Sequence, residues 1–236
     1  MLEIVNISKT YKKATKKAIE DINLKIEDGD IFGFIGPNGA GKSTTIKCVV
    51  GIHKEDQGKI IFNGKTLEED PIGYKKDIAY LPDNPELYEH LTGIQYIDFV
   101  CNIYGVKEGK QELIDKYSEL FGIKNQLNDY ISTYSHGMKQ KIALISALCH
   151  KPKLLVLDEP FVGLDPKASH DLKECIKELV QTGAMVFFSS HVLEVVEKFC
   201  NKVAIIKDGR IISSGTIDEV RGDSSLEDKF LELFNE

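Results

Sequence analysis

The segment GPNGAGKST, Gly36 to Thr44, fits the pattern G-x-x-x-x-G-K-[ST] through Gly36, Gly41, Lys42 and Ser43. Each residue type serves phosphate chemistry. Glycines let the backbone turn so that successive N–H groups point inward at phosphate oxygens, and a helix starting there adds its positive end. Lys42 brings a compact positive charge to the outer phosphates, and the Ser43 hydroxyl is a ligand for Mg²⁺. An apolar strand precedes the segment and a helical pattern follows it, so the segment reads as a nucleoside triphosphate site.

Three other short stretches carry candidate chemistry. Asp158 and Glu159 end the apolar run LLVLDEP. Ligands of open α/β sheets collect at such strand ends, where one carboxylate can hold Mg²⁺ and its neighbour can polarise an attacking water. Paired acids after a strand also occur as plain solvent-facing turns. His191 follows the buried-type run FFSS and is either a third contributor to the same sheet edge or an ordinary strand-end residue. YSHGM, Tyr134 to Met138, is either a turn that starts a helix with a serine cap or a phosphate-binding signature with histidine in a glycine position.

The elements that must position these residues follow from periodicity. INLKI places Ile22, Leu24 and Ile26 on one face of a half-buried strand. GKIIFNGKTL turns at Asn63-Gly64 as a type I′ hairpin, and VAIIKDGRIISSG reads as another hairpin turning at Asp208-Gly209. The continuous runs IFGFIG, LLVLDEP and MVFFSSH suit parallel strands buried on both faces, each followed by helical sequence. Between Pro85 and Lys151 strand signals fade. Thr92 and Gln95 form a capping box before YIDFVCNIYG, ELIDKYSELF stops at Gly122, and MKQKIALISALC is a third helix. Ser225 and Asp228 cap a last helix. The expected fold is α/β: one domain over 1–236 with a core of 1–84 and 151–221, a helical subdomain at 85–150, an antiparallel β-layer near the N-terminus and a C-terminal helix at 224–236.

Composition narrows the function classes. Lys and Arg number 30 against 37 Asp and Glu, a net charge of −7 that disfavours a dedicated nucleic-acid binder. The one basic run, KKATKK at Lys12 to Lys17, reads as a solvated loop. No stretch approaches the roughly 18 apolar residues of a membrane span, and MLEIVNISKTYK lacks the layout of a signal peptide. The 5 cysteines are scattered, without a CxxC pair, and read as core residues in a reducing compartment. A soluble cytoplasmic protein is expected.

With these motifs in order, the whole chain resembles the ATP-binding subunits of ABC transporters, of an export-type subfamily. The resemblance implies a P-loop NTPase core with ATP and Mg²⁺ as ligands. It casts Gly36, Pro37, Asn38, Gly39, Ala40, Gly41, Lys42, Ser43 and Thr44 as the Walker A loop, and Leu154 to Glu159 as the Walker B strand with Asp158 on the metal and Glu159 as catalytic base. Gly163 to Asp165 matches the D-loop, His191 the switch histidine, and Tyr11 the aromatic that stacks on adenine. Ser135, His136, Gly137 and Met138 then form the signature that contacts ATP held by a second subunit. His136 replaces the usual first glycine, at a cost if that position needs positive φ. Asp83 stands where glutamine is usual, a carboxylate able to bind the metal but repelling a bare γ-phosphate.

The implied partners are a transmembrane permease, through which the solute is exported, and a second ATPase subunit, with no nucleic acid. The protein would then sit on the inner face of the cell membrane. The rival within the family, a soluble ATPase acting on DNA or ribosomes, usually has a long coiled-coil insertion or two cassettes in one chain. A GTPase would show an NKxD motif, and the nearest string, NKVA at Asn201, lacks the aspartate.

Overall fold

The computed structural model describes residues 1–12 and 14–235. In chain order, strands β1 (Leu2–Lys9), β2 (Ile19–Ile26) and β3 (Ile31–Ile35) lead into helix α1 (Lys42–Val49). Strands β4 (Gln57–Phe62) and β5 (Lys65–Thr66), helix α2 (Pro71–Lys76) and strand β6 (Ile78–Leu81) follow. Helices α3 (Gly93–Ile103), α4 (Lys110–Leu120) and α5 (His136–Cys149) form the insertion. The chain then alternates through β7 (Leu154–Asp158), α6 (Pro166–Gln181), β8 (Met185–Ser190), α7 (Leu193–Phe199) and β9 (Lys202–Lys207). It ends with β10 (Arg210–Thr216), α8 (Ile217–Arg221) and α9 (Leu226–Asn235).

Two sheets result. The first is antiparallel, in the order β2-β1-β4-β5; the second runs β10-β9-β3-β8-β7-β6, parallel except for the β9–β10 hairpin. Strands β3, β7 and β8 are buried on both faces, as their continuous apolar runs require. Alternate residues of β7 divide between two cores. Leu154 and Val156 join a cluster with the antiparallel sheet and α1, whereas Leu155 and Leu157 join one with α3, α5 and α6. The inserted helices therefore pack on the same apolar layer as one face of the central sheet.

Local chemistry set many boundaries. Asn63 and Asp208 adopt φ of 50° each, followed by Gly64 and Gly209 at 77° and 81°, the pair of positive angles that a type I′ turn needs. The Thr92–Gln95 capping box is formed, Gly122 turns left-handed just beyond α4, and the Ser225 hydroxyl bonds the Asp228 carboxylate and backbone at the start of α9. Strands β1 and β6 and helix α2, capped by Asp70 with Pro71 behind it, were not anticipated. Within the Lys12–Lys17 cluster, Lys13 lies outside the described residues, as does Glu236 of the expected last helix. Among the described residues no helix is long and apolar enough to cross a membrane, and the five cysteines form no disulfide.

Candidate functional site

The ends of four parallel strands meet along one sheet edge. Asp158 of β7 stands in register with Ser189 of β8, and Ile35 of β3 with Ser190. Each chain segment leaving that edge carries a candidate: Gly36 after β3, Glu159 after β7, His191 after β8 and Asp83 just past β6. A cleft of about 250 Å³ opens there, lined by Pro37, Asn38, Gly39, Gly41, Lys42, Ser43 and Thr44, by Asp83, Asp158 and Glu159, and by Ala18.

The loop takes its shape from glycine at two positions. Gly41, at φ 112°, caps α1, and a Cβ there would lie 2.7 Å from Ile19 and 2.8 Å from the Ala18 carbonyl. At Gly36 a Cβ would stand 2.4 Å from the Ile206 carbonyl, so the turn threads directly past β9. Lys42 is buried and folds back on this loop, donating to the Gly36 carbonyl (2.6 Å) and the Pro37 carbonyl (3.3 Å). Burial lowers its pKa, opposed by the nearby Glu159 and Asp158 carboxylates. The charge of Lys42 is thus held at the loop by two neutral carbonyl acceptors.

The two carboxylates are held differently. Asp158 is buried and accepts from the Ser189 hydroxyl at 2.5 Å; the same Ser189 oxygen accepts the Glu159 N–H at 3.0 Å. Glu159 sits at φ 52°, a left-handed conformation that costs a residue with a side chain about 1–3 kcal/mol and persists only where its surroundings enforce it. Its carboxylate bridges the cleft. Oε1 lies 3.8 Å from Lys42 Nζ, while Oε2 lies 2.9 Å from His191 Nδ1 and accepts the His191 N–H at 3.2 Å. A carboxylate aimed into a phosphate cleft and steadied by an imidazole has the arrangement of a general base with its orienting partner.

Tyr11 is 40% exposed, with its hydroxyl 3.1 Å from Thr44 Oγ1 and its ring edge-on to His53 at 5.4 Å. An accessible aromatic face thus stands beside the last residue of the phosphate loop. Ser43, Asp158 and Asp83 supply hard oxygen donors to one cleft. No group of three His, Cys, Asp or Glu side chains suited to a metal occurs among the described residues. That donor set fits Mg²⁺, which keeps several waters and takes one or two carboxylates.

The signature candidates do not join the cleft. Ser135 caps α5 by accepting the Met138 N–H at 3.3 Å, so the helix-cap reading of YSHGM holds in this chain. His136 is the first residue of α5 and lies outside the positive-φ residues, so the anticipated cost of histidine there does not arise. Its ring is exposed yet rests against Gly163. Asp165 caps α6 through the Ala168 N–H (2.8 Å) and accepts from Lys141 at 3.1 Å. The sequence reading missed Ser189, which looks like filler inside a buried strand, and Gln140, which is fully buried on α5 and donates to the Pro160 carbonyl at 3.1 Å.

Comparison with known proteins bears on this geometry. The family described as ABC transporter matches residues 19–162. The chain is 35% identical to the ABC-type transporter ATP-binding protein EcsA of Bacillus subtilis, over 100% of this chain and 97% of that protein. It is 37% identical to the linearmycin resistance ATP-binding protein LnrL of the same organism, over 92% of this chain and 69% of that one. Among solved structures, the ATP binding subunit of an ABC transporter superimposes with a TM-score of 0.95 at 34% identity, covering 99% of both chains.

Proposed function

The chain belongs to the ABC transporter family of ATP-binding proteins, and from that premise we propose how its residues divide the work of hydrolysis. It is an ATP-binding and ATP-hydrolysing subunit that powers transport through a separate membrane protein. The loop amides of 36–44 and Lys42 hold the phosphates, and Tyr11 stacks on adenine. Ser43 and Asp158 hold Mg²⁺, with Asp83 beside them; when bound, the ion neutralises charge on the terminal phosphate oxygens. Glu159 takes the proton of the attacking water, and His191 keeps its carboxylate aimed. Ser189 holds the Asp158 carboxylate and the Glu159 backbone N–H together.

The observation that supports this reading most directly is Glu159 suspended between Lys42 and His191 at the meeting point of the strand ends. In the same reading Ser135, Gly137 and Met138 present the start of α5 to ATP held by a second subunit, identical or related. The Asp165 segment lines that junction. The solute leaves the cell through the permease, a direction that rests on the export-type segment YLPDNPELY. The protein then lies on the inner face of the membrane by way of that partner.

The test is Glu159→Gln. Phosphate release should fall about 10²–10⁴-fold, the usual share of a general base, while ATP binding persists and the solution mass doubles with ATP. Near wild-type turnover would remove Glu159 from this role, and a variant that binds ATP yet stays monomeric would remove the two-subunit site.

A further inference from the structure

The first two turns of α5 are tied three times to the segment that follows Glu159. Gln140 donates from Nε2 to the Pro160 carbonyl (3.1 Å), the residue adjoining Glu159. Lys141 Nζ donates to Asp165 Oδ2 at 3.1 Å. Between them the His136 ring covers Gly163: a Cβ on Gly163 would meet His136 Cδ2 at 3.0 Å and both His136 Nε2 and Gln140 Oε1 at 3.4 Å. Gly163 itself is left-handed, at φ 82°.

The chemistry of Gln140 is out of proportion to a packing role. Its side chain has no exposure, and Oε1 has no hydrogen-bond partner among the described residues. A buried amide left half satisfied is destabilising, and an apolar residue of the same size would pack there at lower cost. What the amide does provide is a grip on the Pro160–Phe161 peptide, one peptide beyond Glu159. The left-handed turn at Glu159 is therefore held on both sides, by the Ser189 hydroxyl at the Glu159 N–H and by Gln140 at the next residue's carbonyl.

We propose that Gln140 and His136 are positioning residues for Glu159, clasping the N-terminal turns of α5 to residues 160–165 so that movement of this helix is delivered to the water-activating carboxylate. The clasp rests on the assignment of Glu159 as base made above. It means that the helix presented to a second subunit's nucleotide and the base acting on the chain's own nucleotide are one mechanical unit, joined through Pro160 and Gly163.

The experiment compares steady-state ATP hydrolysis, ATP affinity and thermal midpoint for wild type, Gln140→Met, His136→Ala and His136→Phe. Gln140→Met keeps volume and loses the donor, so kcat should fall about tenfold with KM changed less than about twofold. His136→Ala should lower kcat in the same direction, His136→Phe should restore it by covering Gly163 again, and the His136→Ala and Gln140→Met losses should be less than additive. Dimer formation with ATP in a Glu159→Gln background should survive His136→Ala. Wild-type kcat in Gln140→Met overturns the clasp. If that variant misfolds, wild-type kcat in the exposed His136→Ala does the same. Loss of the ATP-dependent dimer in His136→Ala would also overturn it, making the ring a contact to the second subunit's nucleotide. Failure of the base assignment would look different: Glu159→Gln would turn over like wild type, and the clasp would fall with it.

Discussion

The phosphate cleft and the start of α5 both present the N-terminal end of a helix, with Gly41 capping α1 and Gly137 inside the first turn of α5, yet they are finished to different degrees. At the cleft three charged groups have partners: Lys42 rests on two carbonyls, Asp158 on Ser189, and Glu159 on His191. At the start of α5, Ser135 and His136 are exposed, and the hydroxyl serves only its own helix cap. One region is complete within the chain and needs only nucleotide. The other has its inner side secured to residues 160–165 and its outer side exposed.

The contrast can be broken or sharpened by substitution. The largest effect belongs to Lys42→Ala. Truncating one partner of a buried charge pair costs about 2–5 kcal/mol, so ATP binding to the monomer should weaken by roughly 30-fold to several-thousand-fold; Ser135→Ala should leave monomer binding unchanged. Equilibrium titration with ATP compares the two, and equal losses would erase the distinction between the regions. Ser189→Ala comes next. It frees a buried carboxylate and the Glu159 N–H together, at about 1–3 kcal/mol, which predicts a kcat lower by roughly 10- to 100-fold with a smaller change in affinity.

Tyr11→Ala should weaken ATP by about 1–3 kcal/mol, the scale of a base stacked on an aromatic ring, and leave inorganic triphosphate binding unaffected. Competition assays with both ligands read this directly, and equal losses would put Tyr11 outside the nucleotide site. The smallest effect is expected for His136→Gly in ATP-driven dimerisation. Because the histidine already sits in unstrained helical backbone, the dimer constant should move less than about twofold. A large tightening would show that the ring obstructs the junction.

The same two regions show what a sequence displays and what it conceals. The phosphate loop was legible because its chemistry is contiguous: glycines, lysine and serine act from neighbouring positions, and a strand and a helix flank them. The Asn63-Gly64 and Asp208-Gly209 turns were legible for the same reason, since positive φ is a local demand. Ser189 was not, because its partner Asp158 lies 31 residues away and only the β7–β8 register brings them together. Gln140 was concealed differently. In MKQKIALISALC it looks like one more polar residue on a solvent face, and only the packing of α5 across Pro160 turns that face inward. The cost considered for His136 depended on a backbone angle that the sequence does not display: as the first residue of a helix it requires no left-handed angle.

The order of strands in the central sheet has a consequence for how the protein is made. Strand β3, which carries the phosphate loop, lies between β8 and β9, and Ile31 bonds the Asn201 side chain 170 residues further on. At ribosomal speeds of about 5–20 residues per second, some 10–30 s separate the emergence of the loop from that of the strands that flank it. The phosphate loop is therefore synthesised well before the strands that support it, since long-range parallel pairing must close a large stretch of chain first. Nucleotide, which binds only the assembled turn, draws the equilibrium toward the finished sheet by mass action.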